Sequence, residues 1–150
     1  LYAEGVAGVK RDYKEAAKWW EMAAKGGSRE AQANLGWFYD QGLGVQKDPK
    51  RAFGLFKAAA DQGHAGAQAN TAFCYDSGVG VQRDSQKAIQ YYEKAANNGI
   101  AEAMVALGAC YELGRGVPKN KAKAIYWYQK GADQGSEDAQ RGLKRVQSSS

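Results

Sequence analysis

The chain has 150 residues, 44% apolar and 25% charged, with a formal net charge of +5. That balance is the one a folded soluble protein shows, and it leaves disorder only to the terminal run Ser148-Ser149-Ser150. A charge of this size does not by itself mark a nucleic-acid binder, and no stretch is long and apolar enough to cross a membrane. The chain opens on Leu1 with no signal-peptide pattern. We read that start as trimmed, so the compartment stays open. Nineteen Gly against two Pro, in an alanine-rich chain, predict many short helices, because glycine marks helix ends.

In chain order, residues 1–28 read as the second half of a repeat. Gly8-Val9 is the expected loop, with one residue more than later copies. Asp12 is the expected helix cap, forming a capping box with Glu15. Ala16, Trp20, Ala24 and Gly27 complete the pattern. Three full repeats of 36 residues follow, over 29–64, 65–100 and 101–136, and a further half repeat fills 137–150 with Ala139, Gln140 and Leu143. Their columns are regular. Ala31, Ala67 and Ala103 align, as do Tyr39, Tyr75 and Tyr111, and Gly44-Val45, Gly80-Val81 and Gly116-Val117. Ala52, Ala88 and Ala124 form another column, as do Ala60, Ala96 and Ala132, and Gly63, Gly99 and Gly135 close each copy.

Each repeat predicts two helices. The first, about Glu30 to Gln41, carries an apolar stripe of Ala31, Leu35, Phe38 and Tyr39. Gly42-Leu43-Gly44-Val45 stops it. The second starts at Asp48-Pro49, a good N-cap followed by the residue best tolerated at the first helical position. Asp84 and Asn120 fill the same capping column. Ala52, Phe56, Ala59 and Ala60 make the second stripe. Small alanines let helices approach closely, while Trp20, Phe56, Tyr92 and Tyr128 fill the wider gaps. One hairpin cannot bury this face alone, so stability accrues by stacking.

The run Ala31-Gln32, Leu35-Gly36, Tyr39, Gly42-x-Gly44-Val45, Asp48, Lys50-x-Ala52, Ala59-Ala60, Gly63 resembles the Sel-1-like repeat, a relative of the tetratricopeptide repeat, over nearly the whole chain. The resemblance implies an all-α fold, a right-handed superhelix (solenoid) of antiparallel helix hairpins whose concave side recognises proteins or peptides. It also implies an adaptor role, with a bacterial envelope or secreted location in keeping with relatives. Thr71-Ala72 replaces Leu-Gly in the second full repeat. Gly131 stands where the others have Ala, and it is expected to loosen its helix by about 1 kcal/mol.

By analogy with related solenoids, the first helices line the inner curve. The face of Glu30–Gln41 away from its apolar stripe is Glu30, Ala33, Trp37 and Asp40, and these columns vary between repeats where the packing columns do not. Trp37 and Phe73 share a column continued by Ala109 and Arg145. Ala33, Ala69 and Val105 give an apolar floor ending at Arg141. Asp40, Asp76 and Glu112 form an acidic row at helix C-termini, where negative charge is unfavourable. One reading is a groove with an aromatic anchor at Trp37 and Phe73, an acidic rail, and a basic end at Arg141 and Arg145. The other is that the aromatics pack on neighbouring helices and the acids pair with Lys47 or Arg83. Asn34 and Asn70 either clamp a peptide backbone or bond within their hairpins.

Chemistry-bearing motifs are missing. His64, the one histidine, reads as a surface turn residue, and no zinc-type cluster surrounds it. Cys74 and Cys110 lie one repeat apart in a core column. Equivalent helices about 8–10 Å apart are too distant for a disulfide, so both read as buried free thiols. Cysteine-rich relatives pair cysteines within each repeat, and this chain lacks that pattern. No Ser-x-x-Lys or Lys-Thr-Gly occurs, and the Gly-x-Gly turns lack a nucleotide-site context. The expectation is a binding protein and not an enzyme, with no cofactor, no metal and no small-molecule substrate. The alternative is an anionic surface or nucleic acid held by Lys47, Lys50, Arg51, Lys119, Lys121 and Lys123; their interleaving with acids reads instead as a solvated outer face. Residues 1–28 lack the helix that Trp19 and Trp20 are expected to pack against. This predicts either a longer natural chain, the reading we favour, or self-association at this end.

Overall fold

The computed structural model describes residues 3–149. Its described residues form eight helices and no strand: α1 (Ala3–Lys25), α2 (Arg29–Gln41), α3 (Pro49–Asp61), α4 (Ala65–Ser77), α5 (Ser85–Asn97), α6 (Ala101–Leu113), α7 (Lys121–Asp133) and α8 (Glu137–Ser148). Each packs on the next, giving an all-α solenoid of hairpins α2–α3, α4–α5 and α6–α7. Every helix of the three hairpins is 13 residues long.

Local chemistry sets these lengths. The side chains of Asp48, Asp84 and Asn120 each accept the backbone N–H three residues on, starting α3, α5 and α7. Ser28 and Ser136 do the same for α2 and α8. His64 was expected as a plain surface turn residue. It is instead half-buried and caps α4, its Nδ1 accepting from the Ala67 N–H at 3.0 Å. Ile100, in that column, offers no side-chain cap to α6.

The alanine columns are the seams. Ala31, Ala67, Ala103 and Ala139 are all buried, as are Ala52, Ala88 and Ala124. Phe56 and Tyr128 are buried against Gly36 and Gly108, and Tyr92 is buried in one cluster with Ala72, which fills the same column as those glycines. Thr71, which replaces an apolar residue, is buried yet satisfied, because its hydroxyl donates to the Ala67 carbonyl at 2.7 Å.

The joint between hairpins is a glycine. Gly44, Gly80 and Gly116 all have positive φ, and a Cβ on any of them would strike backbone of the preceding second helix or its counterpart in α1: Tyr13, Pro49 and Ser85 respectively. Each loop is therefore pinned by the helix two before the one it leads into: α1, α3 and α5. The first segment departs from the sequence reading. The expected loop at Gly8-Val9 and cap at Asp12 are absent, and α1 runs through both as one 23-residue helix. Asp12 and Glu15 are exposed along the helix instead of starting it. On α1, Trp20 is half-buried against Leu35 and Phe38, whereas Trp19 is 68% exposed. Leu1, Tyr2 and Ser150 lie outside the described residues, Ser148 ends α8 and Ser149 caps it.

Gly131 also departs from expectation. Helix propensity alone favours alanine there by about 1 kcal/mol. The space does not, since a Cβ would sit 2.8 Å from the Ala139 Cβ of α8. Overpacking of this kind costs about 1–3 kcal/mol. Gly131→Ala is expected to leave thermal stability unchanged or lower it; a rise in Tm would show that α8 yields freely.

Candidate functional site

A cleft of about 450 Å³ crosses α2, α4 and α6. Trp37 and Asp40 line it from α2, and Ala69, Asn70 and Phe73 from α4. Glu102 and Ala106 close the α6 side, Phe56 and Tyr92 lie at the base, and Val79 enters from the α4–α5 loop. Trp37 is 48% exposed and Phe73 54%, so these rings are not packed away between helices. Four of the expected site residues, Trp37, Asp40, Ala69 and Phe73, thus line one cleft.

The others do not join them. Ala33 is buried in the core. Val105 lines a separate depression between α6 and α8, and Ala109 is half-buried off the cleft. Glu30 pairs with Arg29 at 3.6 Å. Arg141 is held by Glu137 and Asp138 of its own helix.

The acidic row is not a uniform rail. Asp76 receives the Tyr92 hydroxyl at 3.3 Å and Arg115 at 3.4 Å. Glu112 receives the Tyr128 hydroxyl at 2.7 Å and Arg145 twice at 2.8 Å. Those bonds from Arg145, more than Tyr128, hold the Glu112 carboxyl below its usual range despite burial. The basic end at Arg145 is thereby occupied. The tyrosines come from the second helix of the same hairpin and the arginines from the next hairpin's loop or α8, not from the expected Lys47 and Arg83. Asp40 differs, since its side-chain bond is to the neutral Gln41 amide at 2.8 Å. Asn34 and Asn70 are exposed and make no side-chain hydrogen bond within their hairpins.

Val79 and Glu102 were not expected. Glu102 shares the column of Glu30, and Val79 shares a variable column with Leu43 and Arg115 between two fixed glycines. Those two columns held the signal.

The family model for the Sel1 repeat matches residues 1–28, 29–64, 65–100 and 101–136. The chain belongs to the Sel1 repeat family. Among solved structures, a Sel1 repeat protein from Oxalobacter formigenes is 35% identical with a TM-score of 0.83, over 87% of this chain and 54% of that one. The protein c5321, a protective antigen present in uropathogenic Escherichia coli strains and displaying an SLR fold, is 38% identical with a TM-score of 0.86, over 87% and 28%. Helicobacter pylori cysteine rich protein B is 27% identical with a TM-score of 0.67, over 87% and 94%. The chain thus spans about half of the first of these proteins and just over a quarter of the second. Among curated proteins none matches.

Sel1 repeat proteins are generally protein–protein interaction scaffolds and typically non-enzymatic. In this Sel1 chain Cys74 and Cys110 are buried free thiols. Burial pushes Cys74 up to about 11, and pushes Cys110 up against the opposing pull of Arg115. The basic residues of the outer surface are partly engaged: Arg51 holds Glu21 and lies over the Tyr39 ring, Lys123 lies over Tyr111, and Lys121 donates to the Ser149 carbonyl. No helix among the described residues is long and apolar enough to cross a membrane.

Proposed function

We propose that this chain is a non-catalytic scaffold that seats an extended segment of a partner protein in the cleft across α2, α4 and α6. The observation that carries this reading is the pair Trp37 and Phe73. Two large aromatics at the same repeat position, each about half exposed, line one cleft. Single exposed aromatics are ordinary, whereas adjacent ones in a concavity are what binding hot spots are made of. The scaffold function general to the family supports it.

The test is affinity capture from host lysate with the wild-type chain beside a Trp37→Ala/Phe73→Ala variant, then direct titration of any protein captured. Both side chains are about half exposed, so circular dichroism and Tm should change little. Affinity for the partner is expected to fall about tenfold or more. Equal affinity of the two chains would remove the cleft from the reading.

A further inference from the structure

We propose that the cleft is built for a cationic side chain, a lysine or arginine of the partner segment, seated between Trp37 and Phe73 with its charged head at Asp40. The proposal rests on the scaffold reading above and adds the chemistry of the occupant.

Its basis is a comparison of equivalent positions. Asp40, Asp76 and Glu112 stand 36 residues apart in one column. The chain supplies its own counter-charge to two of them. For Asp76 the donors are Tyr92, 16 residues on, and Arg115, 39 on. For Glu112 they are Tyr128, again 16 on, and Arg145, 33 on. For Asp40 the same three offsets give Phe56, Val79 and Phe73. Every position that carries a donor elsewhere is apolar here, and all three residues line the cleft together with Asp40. The half-buried carboxylate is thus left with one neutral partner, the Gln41 amide.

The cleft also matches a cation in charge and shape. Its lining includes Asp40 and Glu102 and no Lys, Arg or His, within a chain whose net charge is +5. Asp40 lies in the last turn of α2, which contains no basic residue. The negative end of the helix dipole there favours a positive guest over the carboxylate alone. Trp37 and Phe73 line the cleft about half exposed, and aromatic rings attract cations. The chain makes such contacts elsewhere, with Arg51 4.8 Å from the Tyr39 ring centre and Lys130 5.5 Å from that of Trp127.

The experiment is selection of a random peptide display library on the immobilised wild-type chain, followed by fluorescence anisotropy of one enriched peptide. Wild type, Asp40→Asn and Trp37→Ala/Phe73→Ala are compared. The expected result is a Lys or Arg at a fixed position in the enriched peptides. Replacing it with norleucine should weaken binding to wild type about fivefold or more, and scarcely at all to Asp40→Asn. Enriched peptides that need Trp37 and Phe73 but have no fixed basic residue would overturn this proposal while leaving the scaffold reading intact. Peptides indifferent to Trp37 and Phe73, or no enrichment over a bare surface, would overturn both.

Discussion

Gly80→Ala is expected to lower Tm by about 5 °C or more and to weaken the cooperation between the two ends of the chain. Two costs coincide at this position. The residue has φ +75, where an L side chain adds about 1–2 kcal/mol of strain. The new Cβ would also fall on the Pro49 carbonyl, with the carbonyl carbon at 2.7 Å and the Lys50 nitrogen at 3.2 Å. These are backbone atoms of α3, so no side-chain rotation relieves the contact and the hairpins must separate. Overpacking adds about 1–3 kcal/mol, giving about 2–5 kcal/mol together. Gly80 joins one hairpin to the next, so the loss falls on the coupling between them. Urea unfolding of the variant should show a broadened or split transition, and amide exchange should rise first at the α3–α4 boundary. A single sharp transition with unchanged midpoint would mean the loop is not the joint described here. Gly116, whose Cβ would meet the Ser85 carbonyl oxygen at 2.6 Å, should behave alike.

What the sequence made legible follows the range of each interaction. The hairpins were readable because their ends are set by short-range chemistry: Asp48, Asp84 and Asn120 each cap a helix within three residues, and the glycine columns end the helices between. The His64 cap was missed because histidine is an unusual residue there, although Ser28 and Ser136 in its column carried the signal. The continuous α1 was missed for the opposite reason. Gly8 and Asp12 have the right local chemistry, yet α1 runs through both without a break.

The site was legible by half. Variable columns on the first helices picked out Trp37, Asp40, Ala69 and Phe73, which line one cleft. The fates of the acids were not readable from columns alone. Asp76 and Glu112 find arginines 39 and 33 residues away, from a loop in one case and a helix in the other. An alignment at the repeat length compares like with like and passes over such crossed pairs. Only after those pairs are known does the apolar trio Phe56, Phe73 and Val79 around Asp40 acquire meaning.

Tyr128→Ala is expected to cost about 3–5 kcal/mol, and Tyr128→Phe only about 1 kcal/mol. The ring is 1% exposed. It lies between two glycines, since a Cβ on Gly108 would come within 2.6 Å of it and one on Gly142 would meet it equally closely. The wall has thus been cut back on both sides to admit a large ring, and α6, α7 and α8 meet around it. Removing the ring leaves a void that the helices cannot fill without sliding, which is where most of the cost arises. The hydroxyl contributes less. It donates to Glu112 at 2.7 Å, and its own pKa is pushed up to about 12, first by burial and then by Glu112, so it stays a donor at neutral pH. Phenylalanine loses that bond, but Arg145 still holds the carboxylate at 2.8 Å, so no charge is left bare. Comparing the two variants by urea unfolding separates shape from hydrogen bonding. Equal losses would place the stability of this end of the solenoid in the Tyr128–Glu112–Arg145 network, whereas the expected three- to fivefold ratio of about 3–5 to about 1 kcal/mol places it in the ring that the glycines were cut to fit.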